Sequence, residues 1–341
     1  MKVLVTGATG FVGSHTVAAL ERRGHAVRIM VRDPSRVAAA LDPHGVTPEV
    51  VVADMTAAEA VTGAVKGCDA VIHAAGEVGV EGGTGPRTTA NVEGVRNVVS
   101  AALQAGCDPV VYTSTITVHL PTNDPTITLA TPLAEPLSKY AASKRDAELL
   151  ARDWQQHGAP VTTFTIGGVY GPTSPHLDGS FGALSAALDT FMLVPPGGLG
   201  VIDVRDLAMM LAGAVAPGRG PRRYLTGGQY VSWAEWTDTL SRAAGVEVPH
   251  HVVTAEEMIE LGRQFDRPRA EGRGSASLSE EAAIIMTSGV PTDDSATLSD
   301  LGCSYRPLIR TFTDTVAYLR SIGRIPPRPQ SPAARKRPDA S

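Results

Sequence analysis

In SKYAASKRDAELLA, Tyr140 and Lys144 stand four residues apart, so a helix through them carries both side chains on one face. An isolated phenol titrates near ~10 and is a poor proton shuttle at neutral pH, but an ammonium beside it favours the phenolate. Tyr140 then becomes a workable acid or base, with Lys144 as the residue that adjusts it. Twenty-five residues upstream of Tyr140, VVYTSTITV reads as a strand that ends in hydroxyls. Thr115 is the one whose spacing suits a hydrogen bond to a substrate oxygen, where it would steady a carbonyl or an alkoxide. Tyr and Lys are also ordinary helix residues, and a surface pair is the bland alternative.

A second constellation opens the chain. In MKVLVTGATGFVGSHTVAAL, Gly7, Gly10 and Gly13 lie between an apolar run and a helical pattern. In a strand-turn-helix context the first allows a tight turn, the second lets a pyrophosphate approach the backbone, and the third lets helix and strand pack closely. Thr9, Phe11 and Val12 complete that turn, and a dinucleotide's phosphates would sit on the helix N-terminus. A structural glycine turn is the alternative. The GxxxxGK of a nucleotide triphosphatase is absent. Cofactor choice is written after the second strand, VRIMV, where Arg32 can pair with a 2′-phosphate through its planar fork. NADP(H) is favoured, and Asp33 one position later keeps NAD(H) open. Further on, Asp54 and Met55 are placed to meet the adenine, and Ala74, Ala75 and Gly76 offer a small-residue surface where a cofactor lies close.

These residues need strand tips and helix starts to hold them. Apolar runs at Val3, Val27, Glu49, Ala70, Val110 and Val161 alternate with helical stretches over Ser14 to Arg23, Thr89 to Ala105 and Lys139 to His157. That rhythm predicts an α/β fold with a doubly wound parallel sheet covered by helices on both faces. After Tyr170 the alternation breaks. We expect a dinucleotide-binding domain over 1–170, to which 200–230 returns, and a smaller interleaved C-terminal substrate lobe over 171–200 and 231–324. From Ile325 the Pro-rich basic tail, 325–341, has little to pack with and reads as disordered.

The composition agrees with a folded enzyme: apolar residues are 43% and charged residues 19% of 341. A net charge of −5 argues against a general affinity for nucleic acid or an anionic membrane, which leaves a small-molecule substrate as the expected partner. Cys68, Cys107 and Cys303 are widely separated, so neither a disulfide framework nor a metal site is indicated. The N-terminal apolar run is too short for a signal peptide, and LAMMLAGAVA is about half a bilayer span. Cytoplasmic residence is the default expectation.

Other residues have bland readings. His73 is expected to pack at a strand end, and Asn91 to cap or to pack a helix. His119 and His176 are lone histidines that we leave outside the site. Asp206 reads as a helix cap and Asp203 as a partner for Arg205. The Gly-rich stretch from Gly76 could flex over the pocket as a lid.

Seven motifs in order then carry a resemblance: TGATGFVG at Thr6, HAAG at His73, NVEG at Asn91, TST at Thr113, YAASK at Tyr140, VYGP at Val169 and IDVRDLA at Ile202. The chain resembles the extended short-chain dehydrogenase/reductases, the NAD-dependent epimerase/dehydratase superfamily, and looks most like its dihydroflavonol-reductase-like and hydroxysteroid-dehydrogenase-like members. The resemblance implies a Rossmann-type sheet, a catalytic set of Thr115, Tyr140 and Lys144, and a second role for Lys144 on the nicotinamide ribose. It also implies hydride transfer between a nicotinamide and a carbonyl or alcohol, and a homodimer. Two departures bear on the branch. Dehydratases of this fold place an Asp-Glu pair where this chain has Ile116 and Thr117, and TIGGVYGP has Gly167 and Gly168 where an Asn contacts the phosphate side of a sugar nucleotide. An epimerase or dehydratase with tightly bound NAD, and a non-catalytic dinucleotide sensor, stay as alternatives.

Overall fold

A computed structural model of the chain describes residues 1–76, 89–177, 179–270 and 278–327; the side chains of residues 139, 140 and 267–270 fall outside that description. The first half runs β1 (Lys2–Thr6), α1 (Phe11–Arg22), β2 (Ala26–Val31), α2 (Val37–Leu41), β3 (Glu49–Val52), α3 (Ala58–Val65), β4 (Ala70–His73), α4 (Ala90–Gln104), β5 (Val110–Thr115), α5 (Lys139–Gln156) and β6 (Val161–Ile166). Then follow β7 (Gly168–Tyr170), α6 (Ser180–Asp189), β8 (Met192–Val194), β9 (Gly198–Asp203), α7 (Val204–Gly213), β10 (Arg222–Thr226), β11 (Gln229–Ser232) and α8 (Trp233–Ala244). The last elements are β12 (His250–Val252), α9 (Ala255–Ala270), α10 (Glu280–Ser288), α11 (Ser295–Leu301) and α12 (Leu308–Ser321).

The main sheet has seven parallel strands in the order β10-β6-β5-β4-β1-β2-β3. Strands β4 and β6 are buried along their whole length because helices cover both faces. One face packs Val17 and Leu20 of α1 against Leu207, Met210 and Leu211 of α7; the other packs Val61 and Val65 of α3 with Val95, Val98 and Val99 of α4 and Ala147 and Ala151 of α5. The strand order reverses between β1 and β4, so the crevice at the carboxyl ends of those two strands is where a ligand enters.

The smaller lobe has its own core. Trp236 and Leu240 of α8, Phe181 and Leu184 of α6, and Phe312, Val316 and Leu319 of α12 enclose Tyr170, whose ring stacks on Phe312 at 5.4 Å between centroids. Two boundaries differ from the sequence expectation. β7 leaves the main sheet before residue 170 and pairs with β9, which pairs with β11. Of the segment 200–230, it is α7 and β10 that return to the dinucleotide layer. A Cβ on Gly167 would stand 2.0 Å from the Gly227 carbonyl oxygen, so the chain between β6 and β7 runs too close to the neighbouring turn for any side chain. The second difference is Ile325, which is buried in the lobe core rather than starting a loose tail. An apolar side chain and the bond from Arg324 N to the Leu319 carbonyl hold it there; residues 328–341 lie outside the described residues.

Candidate active site

The turn after β1 is built for close approach. Gly7 has φ +72, and a Cβ there would meet the Ala74 carbonyl and the Ala75 amide at 2.6 Å. A Cβ on Gly13 would stand 2.1 Å from the Gly7 carbonyl oxygen, so the N-terminal turn of α1 lies directly on the loop. No side chain caps α1. Its first amides therefore point into the crevice as donors for an anion, and the cradle fits a dinucleotide's pyrophosphate. Phe11 stands edge-on to Phe181 of α6 at 5.0 Å, and Val12 packs on the main core.

The ends of β4 and β5 form the floor. Thr6 Oγ1 and His73 Nδ1 share a 2.7 Å hydrogen bond, and Ala75 N donates to the same hydroxyl at 3.2 Å. These bonds fix Ala74, Ala75 and Gly76 against the glycine turn. Burial pushes the His73 imidazole down to about 3, with a smaller push from Lys144, so it is a neutral structural residue. Thr115 ends β5 and caps the short 3-10 turn over Ile116–His119: its Oγ1 accepts from Thr117 N at 3.3 Å and lies 3.1 Å from Thr117 Oγ1.

Ser138 starts α5 by accepting from Ala141 N at 3.0 Å. Tyr140 lies in its first turn; the Tyr140 side chain falls outside the described residues. Lys144 follows one turn later. Its Nζ sits 5.6 Å from the centroid of the Tyr112 ring, and a Cβ on Gly76 would stand 3.7 Å from it. The structure thus brings Lys144, Tyr112 and Gly76 together across α5, β5 and the end of β4. Burial lowers the Lys144 ammonium to about 8, and Glu148 on the next turn pulls the other way.

At the adenosine end the side chains are more engaged than the sequence suggested. Asp33 caps a 3-10 turn, accepting from both the amide and the hydroxyl of Ser35 on one oxygen. Asp54 accepts from the amide and hydroxyl of Thr56, which hold its carboxyl below the usual carboxylate range with a smaller pull from Arg32. Met55 turns its side chain into the core, where it packs on Gly94 of α4, and its carbonyl accepts from Asn97 Nδ2 at 3.0 Å. What Met55 can offer a cofactor is therefore backbone. Arg32 is exposed at the tip of β2.

Sequence reasoning missed several contacts here. Tyr112, read only as part of a strand, presents its ring to Lys144. Asn91 Nδ2 donates to Ser143 Oγ at 3.2 Å, tying α4 to the helix that carries Lys144. Ser138 Oγ donates to Glu281 Oε1 at 2.8 Å, so α10 of the lobe holds the start of α5. Arg36 Nη2 lies 2.7 Å from His176 Nε2 across the crevice mouth. His119 is buried and donates from Nδ1 to the Pro132 carbonyl. Asp203 pairs with Arg205 at 2.7 Å as expected, but it is also the cap of α7, accepting from the Arg205 amide, while Asp206, expected as the cap, pairs with Arg306 at 2.7 Å. The lid suggested by the glycines after Gly76 falls on 77–88, outside the described residues.

A doubly wound sheet with a glycine turn at its switch point, and a helix carrying Tyr and Lys one turn apart beside it, defines a nicotinamide-dinucleotide enzyme of the short-chain dehydrogenase/reductase type. The family model for the NAD dependent epimerase/dehydratase family matches residues 3–193, and the chain belongs to that family. It is an NAD(P)-dependent enzyme of the extended short-chain type. Among its relatives, "Sterol demethylase protein B" of Methylococcus capsulatus is 28% identical over 95% of this chain and 100% of its own length. A 3-beta-hydroxysteroid dehydrogenase of Mycolicibacterium neoaurum is 41% identical over 33% of this chain and 31% of its own. The solved UDP-glucose-4-epimerase of Stenotrophomonas maltophila, with bound NAD, shares the fold at a TM-score of 0.76 and 23% identity, covering 95% of this chain and 99% of that one. Among the described residues no helix is long and apolar enough to cross a membrane, and no cluster of three metal-ligating side chains occurs.

Proposed function

We propose that this protein is an NADP(H)-preferring oxidoreductase that moves hydride between the nicotinamide and a small apolar ketone or secondary alcohol. The observation that carries the reading is the position of Lys144 Nζ, against Gly76 and the Tyr112 ring, on the helix that begins with Tyr140. When bound, the nicotinamide supplies or accepts the hydride. Tyr140 gives a proton to the carbonyl oxygen in reduction and takes it back in oxidation. Lys144 holds a positive charge one helical turn away and favours the phenolate. Thr115 Oγ1 accepts from the Thr117 amide and, with the Thr117 hydroxyl at 3.1 Å donating to it as well, has its own proton to give to the substrate oxygen.

Elimination from a sugar needs an acid and a base beside that oxygen, and the residues after Thr115 are Ile116 and Thr117. Ile116 packs with Ile285, Val290 and Leu120 in an apolar wall, which supports an apolar substrate. The sterol and hydroxysteroid relatives agree with that choice. Asp33 supports NADP(H) over NAD(H), because one of its oxygens is engaged by Ser35 and Arg32 stands beside it at the strand tip.

The test is turnover of NADPH and NADH with a panel of oxo-steroids, 3-oxo acids and the matching alcohols, read by nicotinamide absorbance. We expect NADPH to be the better partner and Tyr140→Phe to cut kcat by about a hundredfold to ten-thousandfold while dinucleotide binding is kept. Arg32→Asp is expected to reverse the cofactor preference. No turnover with any member of the panel, or sugar-nucleotide epimerisation by protein that purifies with NAD bound, overturns the reading.

A further inference from the structure

Beyond Lys144, helix α5 continues the same face with Glu148 and Arg152 at four-residue steps. Glu148 is fully buried. Its Oε1 accepts from Arg152 Nε at 2.9 Å, while its Oε2 has no hydrogen-bond partner among the described residues. A buried carboxylate with one oxygen unsatisfied is a poor structural element, since an ion pair repays desolvation only when the remaining lone pairs are also met. Lys144 poses the matching problem one turn earlier: it is half-buried, and among the described residues no carboxylate lies within ion-pair distance of it.

We propose that Glu148 is a positioning residue for the redox site, whose buried carboxylate supplies the negative potential that keeps Lys144 charged at neutral pH. The proposal rests on the reading of Lys144 as the cation that favours the Tyr140 phenolate. The charges around the pair are few. Toward Glu148 face Lys144 and Arg152 from α5, His119 from the turn after β5, and Arg223 of β10, whose Nη2 donates to the Leu129 carbonyl. Toward Lys144 face His73 of β4 and the Tyr112 ring of β5. Burial lowers both histidines, so they are neutral near pH 7. Glu148 is the counter-charge that Lys144, Arg152 and Arg223 share, and the one charge that favours the Lys144 ammonium. Removing it takes away the charge that favours the Lys144 ammonium, so the lysine loses its proton at a lower pH.

The direct test reads Lys144 itself. The lysines of the chain are Lys2, Lys66, Lys139, Lys144 and Lys336, so the side-chain carbon signals of full-length protein grown on ¹³C-lysine are few enough to assign with a Lys144→Arg control. In the native chain the Lys144 signal should titrate at about 8. Glu148→Gln should lower that midpoint by about one unit, and so should Glu148→Met, which fills the same space without a charge. The same downward shift from a polar and an apolar replacement of similar shape is a readout that loss of packing does not produce. Should Glu148→Gln fail to fold, as seen by its circular dichroism, the downward shift in Glu148→Met still decides. A midpoint that stays within two tenths of a unit in the folded variants overturns the proposal. The same variants assayed in carbonyl reduction separate the two readings: a shifted Lys144 titration with an unmoved basic limb of kcat/KM refutes the catalytic role of Lys144 and leaves the electrostatic role of Glu148 standing.

Discussion

Acid should loosen this fold through a residue that no chemistry requires. His15 lies on α1 with 7% of its surface exposed, donates from Nε2 to the Pro172 carbonyl at 3.0 Å, and stands edge-on to His44 at 4.4 Å and Phe11 at 5.5 Å. Burial, with His44 adding to it, lowers its pKa from 6.5 to about 4. Because the folded value is the lower one, the unfolded chain binds the proton more readily. The neutral ring's contribution is complete above pH 6.5 and is lost as pH falls toward 4. Between pH 7 and pH 5 the difference amounts to about 2 kcal/mol, a sizeable share of a domain's typical stability. His15→Gln keeps a donor for Pro172 and removes the titration. Urea unfolding of both proteins at pH 7, 6 and 5 should show the native chain losing about 2 kcal/mol more than the variant over that range, with similar slopes in denaturant. His73 titrates in both chains and cancels in the comparison. Parallel pH dependences would refute the assignment of a buried neutral ring at His15.

Three further substitutions test the packing around the site and in the lobe. Gly13→Ala puts a methyl 2.1 Å from the Gly7 carbonyl oxygen, where only backbone can yield, and should cost about 1–3 kcal/mol and abolish dinucleotide binding measured by calorimetry. Gly63→Ala in α3, with open space around the new methyl, should instead raise stability by about 0.5–1 kcal/mol and leave binding alone. Trp236→Ala empties the centre of the lobe, where the ring packs on Phe312 at 5.6 Å, and should cost about 3–5 kcal/mol in thermal or urea unfolding.

The sequence by itself determined the dinucleotide layer and the family to which the chain belongs. Runs such as VLVT and AVIHAA are strand-length and apolar throughout, so they read correctly as strands buried on both faces. The four-residue spacing of Tyr140 and Lys144 needs only helical periodicity. The glycines of the first turn were legible because a missing side chain is visible in sequence, and the structure adds the atoms that a side chain would strike. What tertiary structure decided are the relations between distant segments. Nothing local in GGVY says that β7 quits the main sheet; the close Gly227 backbone and the pairing with β9 do. Asp206 reads from sequence as the cap of α7, and only Arg306, a hundred residues away, shows that its carboxylate is claimed elsewhere and that Asp203 caps instead. Ile325 sits in a Pro-rich basic stretch, and only the lobe core gives it a reason for order. Glu148, which sequence offers as an ordinary helix carboxylate, becomes a buried charge because β5, β10 and the turn after Thr115 close over it. Local patterns set which residues can do chemistry, whereas burial and charge depend on contacts far apart in sequence.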